Sequence, residues 1–286
     1  MKKLLSTMMI LILIFLMAPN VFAESQNTTN SYTVSEYELL KPYLEKNLSE
    51  LLEMGLSTEE AEHMLDMQKK IFNKVKECTQ YNEKKLFQLG YSEKQIDAFS
   101  KINSMDAKSL SLDMIPRSAW ASVTFNCQKE GSINDEYWFS FDWEWTGQPF
   151  ITNTDTIAFA WDNGFRVSRE NITCSIDYYS MGSYYTTHQV TDKESDIEVS
   201  PGEGFRVKFA MSDSGPENSS FAKCGYGSFT LSRPNENNST DIQIVWGYGH
   251  STFSLGGFGL NVGFPSLSVN TGVEKMYEED AIFQLN

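Results

Sequence analysis

Asp142 and Glu144 stand two residues apart in the run Tyr137-Trp138-Phe139-Ser140-Phe141-Asp142-Trp143-Glu144-Trp145, where every second residue is aromatic. On an extended chain that alternation sends Tyr137, Phe139, Phe141, Trp143 and Trp145 to one face and Trp138, Asp142 and Glu144 to the other. Carboxyls two positions apart on a strand lie about 7 Å from each other, between the spacings that retaining and inverting glycosidases use. Beside an indole, such a pair would have the parts needed to grip and cut a sugar. The same pattern also describes a solvated sheet face with one amphipathic ring, so a secreted polysaccharide hydrolase using Asp142 and Glu144 is the alternative reading and a non-enzymatic role the leading one.

Other chemistry finds less support. His63, His188 and His250 are scattered, with neither H-E-x-x-H nor C-x-x-C, so no metal and no cofactor is expected. Asp192, Glu194, Asp196, Glu198 and Glu203 crowd one stretch, but without the spacing of a calcium loop they read as a solvated acidic loop. There is no G-x-S-x-G, and neither Cys224 with His250 nor Ser183 with His188 has a spacing that marks a nucleophile and its base. Exposed aromatics are the more informative theme. Tyr178-Tyr179 and Tyr184-Tyr185 flank Met181-Gly182, and on a strand one ring of each doublet must leave the core. Trp138, Tyr179, Tyr184 and Tyr185 are therefore the expected ligand-binding residues, for an extracellular glycan or protein: flat rings stack on sugar faces, and tyrosine adds a hydroxyl.

The elements that would position these rings are strands. Alternation recurs in Val123-Phe125-Cys127, Ile157-Phe159-Trp161, Ile172-Cys174-Ile176-Tyr178, Phe205-Val207-Phe209-Met211 and Ile242-Ile244-Trp246-Tyr248. Asp162-Asn163-Gly164 reads as a hairpin turn, and Ser200-Pro201-Gly202-Glu203-Gly204 as another break. No long helical pattern separates the strands, so parallel crossovers are absent and residues 118–286 are predicted to form an antiparallel β-sandwich of eight to ten strands. Cys127, Trp143 and Cys174 resemble the Cys-Trp-Cys core of immunoglobulin domains, but Ile172 stands where that family places a tyrosine, which leaves the topology open between immunoglobulin-like and jelly-roll-like. Residues 251–273 carry no charge and alternate Phe258, Leu260, Val262 and Phe264 with small residues. That pattern suits an edge hairpin, and as an alternative the membrane hairpin of a pore-former.

Upstream the period changes to that of a helix, so the overall class is α+β with the two kinds of structure segregated. From Val34 to Ile102 apolar residues recur at helical spacing, as in Ala61, Met64, Leu65, Ile71, Phe72 and Val75. A motif repeats at an offset of 35: Leu52-Glu53-Met54-Gly55-Leu56-Ser57 and Phe87-Gln88-Leu89-Gly90-Tyr91-Ser92. Each copy ends a helix on glycine and restarts one on serine, with Glu60 or Gln95 completing a capping box. A helical bundle over 24–103 and a linker over 104–117 are expected.

The start of the chain reads as a secretory signal: Lys2-Lys3, an apolar run from Leu4 to Met17, and Val21-Phe22-Ala23, with cleavage after Ala23. Release to the extracellular or cell-wall space, as in a bacterial secretome, is expected, and residence in a membrane is not, because the run is too short to span. In that oxidising setting Cys78, Cys127, Cys174 and Cys224 are candidates for disulfides, of unspecified connectivity. A net charge of −15 repels polyanions and argues against nucleic acid as a partner. The sequence carries no mark of an oligomeric state.

Overall fold

The aromatic run forms β3 (Glu136–Thr146), and its side chains alternate between interior and surface along the whole strand, as its period requires. The computed structural model describes residues 30–105, 110–180, 182–189, 196–212, 220–235, 238–250, 258–260, 267–269 and 274–285. Within them β3 is a central strand of a six-stranded sheet. Its neighbours are β1 (Asn30–Ser35), β2 (Ser122–Ile133), β5 (Ile172–Ser180), β6 (Ser183–Gln189) and β9 (Phe221–Ser232), in the order β1-β2-β3-β9-β5-β6. A second sheet takes β4 (Thr154–Trp161), β7 (Ile197–Ser200), β8 (Gly204–Ala210), β10 (Asp241–His250) and β13 (Glu274–Gln284), in the order β13-β10-β4-β8-β7. All of these pairings are antiparallel.

The two inner faces meet ring to ring. Phe159 of β4 sits 5.9 Å from Phe125, 5.0 Å from Phe141 and 4.9 Å from Phe229, while Trp143 stacks on Phe209 of β8 at 5.0 Å. Each such ring, fully buried, contributes about 2–3 kcal/mol of hydrophobic free energy, and offset or edge contacts add to it. Two packed antiparallel sheets are thus what the alternation demanded.

Two features differ from the sequence reading, and a third falls mostly outside the described residues. Asn30–Ser35 is a strand, paired with β2 from Asn30↔Cys127 to Ser35↔Ser122, so the chain enters the sheet before its first helix. Asp162-Asn163-Gly164 is a turn with positive φ at Asn163 and Gly164, yet it joins no hairpin. The chain leaves β4 there and crosses to the other sheet, where Arg166 bridges to Ser232. The uncharged segment 251–273 is described only at Phe258–Leu260 and Leu267–Val269, which pair as β11 and β12; the rest of it, like the signal segment 1–23, lies outside the described residues.

Between β1 and β2 run the helices α1 (Glu36–Leu40), α2 (Leu48–Glu53), α3 (Thr58–Cys78), α4 (Glu83–Gln88) and α5 (Glu93–Asn103). Both predicted corners form. Gly55 and Gly90 take φ of 95° and 88°, the left-handed region that glycine alone enters freely. Ser57 with Glu60 and Ser92 with Gln95 make reciprocal capping boxes at the starts of α3 and α5. Buried Ala61, Met64, Met67, Ile71 and Val75 form the inner stripe of α3. No helix among the described residues is long and apolar enough to cross a membrane.

Candidate functional site

Strand register assembles the outer face of the six-stranded sheet row by row. One row runs Thr124, Glu144, Cys224, Asp177; the next Asn126, Asp142, Tyr226, Ser175; the next Gln128, Ser140, Ser228, Thr173. A shift of register between Lys129 and Gly131 then sets Trp138 between Gly131 and Thr230. Among the described residues the plane is polar apart from two rings, Trp138 at 37% exposure and Tyr226 at 52%, and from Ile133 beyond Trp138 at the end of β2, 58% exposed. Four positions along the strands and one strand across separate Trp138 and Tyr226 by about 14 Å.

Hydrogen bonds between strands, and one along β2, hold the intervening groups. Asn126 Nδ2 donates to Asp142 Oδ2 at 2.7 Å, and Gln128 Nε2 donates to Glu130 Oε1 at 2.6 Å. The Ser140 hydroxyl also donates to Glu130, and the Thr173 and Ser228 hydroxyls bond at 2.8 Å. Lys223 Nζ stands 3.5 Å from Glu144 Oε1. Burial pushes that ammonium down from its ordinary range, with Glu144 opposing. Asp142 and Glu144 share the face as expected, but both are exposed, and different side chains claim them. A hydrolytic pair works by keeping one carboxyl protonated in a site shielded from water, and this face is an open plane.

The other expected site residues are placed differently. Tyr179 is partly buried, 6.1 Å from Phe221, with both rings against Gly90 of the second helical corner. There its ring packs against that corner. The side chains of Tyr184 and Tyr185 lie outside the described residues. Tyr226 escapes a periodicity search because its inward neighbours are Gly225 and Gly227 and not apolar side chains. A Cβ at those positions would come within 2.6 Å of Trp143 and 2.4 Å of Phe141.

The expected disulfides are not formed: no bond joins Cys78, Cys127, Cys174 or Cys224. The register supplies the reason. Cys127, Phe141, Gly227 and Cys174 lie in one row across four strands, which puts the two cysteines about 14 Å apart, whereas a disulfide needs Cα atoms within about 7 Å. Cys224 points to the opposite face from Cys127 and Cys174. Cys78 ends α3 and donates its thiol to Tyr91 Oη at 3.2 Å. Burial raises Cys78 to about 11 and Cys174 to about 12, so both stay protonated thiols at neutral pH.

A second cluster, absent from the sequence reading, lies wholly inside. His250 of β10 places Nδ1 2.7 Å from Asp155 Oδ1 of β4 and Nε2 3.7 Å from Glu36 Oε1 of α1. Tyr248 donates to Asp155 Oδ2 at 2.5 Å and receives Trp145 Nε1 at 3.0 Å. The Glu36 carboxylate accepts the backbone amides of Phe150 and Ile151 at 3.0 and 2.9 Å. All three charged residues are 0% exposed. Burial opposes the charged imidazole, but Asp155 and then Glu36 outweigh it and hold His250 protonated up to about 10. Closed to solvent, the group fastens α1 to the sandwich. It also separates His250 from Cys224, which faces out of the other sheet.

No known family and no curated protein matches this sequence. Among solved structures the chain is similar to the collagen-binding subdomain of the Enterococcus faecalis surface protein ACE, at 8% identity and TM-score 0.32 over 54% of this chain and 91% of that one. It is similar to the collagen-binding domain of a Staphylococcus aureus adhesin, at 8% identity and TM-score 0.33 over 55% and 95%. The T6 backbone pilin of Streptococcus pyogenes follows at 11% identity and TM-score 0.33 over 55% and 35%. These scores are too low to carry a functional argument, and the two-sheet fold rests on this chain's own strand pairing.

Proposed function

We propose that this is a secreted, non-enzymatic binding protein of the extracellular or cell-wall space, which holds its partner on the outer face of the six-stranded sheet. The observation that carries the reading is the pair of exposed rings, Trp138 and Tyr226, set into a flat field of hydroxyl, amide and carboxylate groups. A glycan suits that chemistry better than a protein. Its ring faces stack on indole and phenol, its hydroxyls meet Asp142, Asn126 and Ser140, and among the described residues the face lacks the continuous apolar centre that a protein interface buries.

The test is retention of the mature protein on immobilised cell-wall polysaccharide. Stacking is worth about 1 kcal/mol per ring, so Trp138→Ala and Tyr226→Ala should each weaken retention roughly fivefold, with melting temperatures unchanged. Undiminished retention by the double variant rejects the reading. Release of reducing sugar that vanishes in both Asp142→Asn and Glu144→Gln would instead establish the hydrolase.

A further inference from the structure

The two helical corners are copies at an offset of 35, and only one has the sandwich against its glycine, although Phe87, the match of Leu52, stays 59% exposed there. Around Gly90 the sandwich closes in: a Cβ there would lie 2.7 Å from Phe221 and 3.0 Å from Tyr179, and Leu89 and Tyr91 are buried. Around Gly55 a Cβ would meet nothing within 4 Å. Its flanking side chains are bare, with Leu48 at 38%, Leu52 at 40% and Met54 at 45% exposure. Leu48 and Leu52 are one helical turn apart on α2 and make an apolar edge on one flank of the buried Leu51, while Met54, at the helix end beside the open glycine, lies on its other flank.

Charge separates the copies in the same sense. From Asn82 to Asp97 three acids balance three lysines; over the matching stretch Asn47 to Glu62 there are five glutamates and no basic residue. Like charge disfavours a second copy of this acidic chain as the occupant. The chemistry that fits is the occupied corner's own, aromatic rings laid against the glycine, joined to positive charge.

We propose that the corner from Leu48 to Leu56 is a docking site for a separate protein segment that presents an aromatic side chain flanked by lysine or arginine. The rings would cover Gly55 as Phe221 and Tyr179 cover Gly90. The basic groups would lie among Glu50, Glu53, Glu59 and Glu62. This surface is distinct from the Trp138 and Tyr226 face, so either assignment can fail alone.

The experiment uses the isotope-labelled mature protein and a synthetic twelve-residue peptide with a Phe-Tyr pair between lysines in an alanine background. Titration should shift the amides of Leu52, Met54, Gly55 and Leu56, leave Leu89 to Tyr91 in place, and weaken as salt is raised. Met54→Lys and Leu52→Ser, both at exposed positions, should each reduce affinity at least tenfold with unchanged melting. Exchanging the peptide's lysines for glutamate, or its rings for alanine, should abolish the shifts. The proposal is overturned by absence of binding, by binding indifferent to Met54→Lys, by shifts confined to the Trp138 face, or by shifts that follow protein concentration without peptide, which would assign the corner to a second copy.

Discussion

Leu51 and Leu86 are the same residue in two copies of one corner, both buried, and Ser57 and Ser92 cap the following helices alike. Three positions later the copies part. Glu60 at the first corner stays at the surface and returns its carboxylate to the Ser57 amide at 2.7 Å. Gln95 at the second makes the same return with Oε1, at 3.0 Å from the Ser92 amide, and has a second hand. Its Nε2 donates to the Ala119 carbonyl at 3.1 Å and the Gln148 carbonyl at 3.0 Å. Capping chemistry thus sets the shape of both corners, while the choice of amide over carboxylate decides which one the sandwich receives. A carboxylate can accept but not donate, and would meet two carbonyl oxygens with lone pairs only.

The contrast predicts what holds the helices down, and the strongest test removes the other anchor. His250→Gln leaves Glu36 and Asp155 buried without their cation, and should cost about 3–5 kcal/mol in urea unfolding at pH 7. The pH profile checks the cause. With its folded pKa raised to about 10 from 6.5, His250 contributes stability that is complete below about 6.5 and lost as pH climbs through about 10. Wild type minus variant should therefore shrink over that window by up to about 1.4 kcal/mol per pH unit. A difference independent of pH would mean that the imidazole is neutral.

Next in size is the exchange of the two capping residues. Gln95→Glu should lose about 3 kcal/mol, because a buried charge then faces two unsatisfied carbonyls. Glu60→Gln should stay within about 0.5 kcal/mol, as surface changes do. Equal effects at the two sites would erase the distinction between an occupied and an open corner.

What the chain discloses before folding follows how local its reasons are. The alternation from Tyr137 to Trp145 and the repeated Gly-x-Ser corners act within a few residues, so the central strand, its outward Trp138 and both turns can be read directly. Asn30–Ser35 offers only Tyr32 and Val34 as inward residues, and its reason for being a strand is β2, some ninety positions on. Glu36 looks like any acid in the first turn of a helix, where the helix dipole welcomes it. Its true partners, Phe150, Ile151 and His250, belong to segments that only the fold brings near. Tyr226 is concealed for the opposite reason: its strand is hollowed to glycine at Gly225 and Gly227 to admit Trp143 and Phe141, which deletes the apolar beat that would have marked its phase.

The finest test separates backbone conformation from docking within the glycines themselves. Both Gly55→Ala and Gly90→Ala force an L residue to φ near +90°, which costs about 1–2 kcal/mol at either site. Only at Gly90 does the new methyl also strike a neighbour, Phe221 at 2.7 Å, in a packed setting where overfilling adds about 1–3 kcal/mol. Thermal unfolding should therefore rank Gly90→Ala below Gly55→Ala by about 1–3 kcal/mol. Phe221→Leu, which withdraws the ring edge, should recover much of that excess in the Gly90 variant and none of the Gly55 loss, a coupling expected of groups in contact. Because the conformational cost is common to both corners, what remains after subtraction measures the contact that one copy makes with the sandwich and the other leaves open.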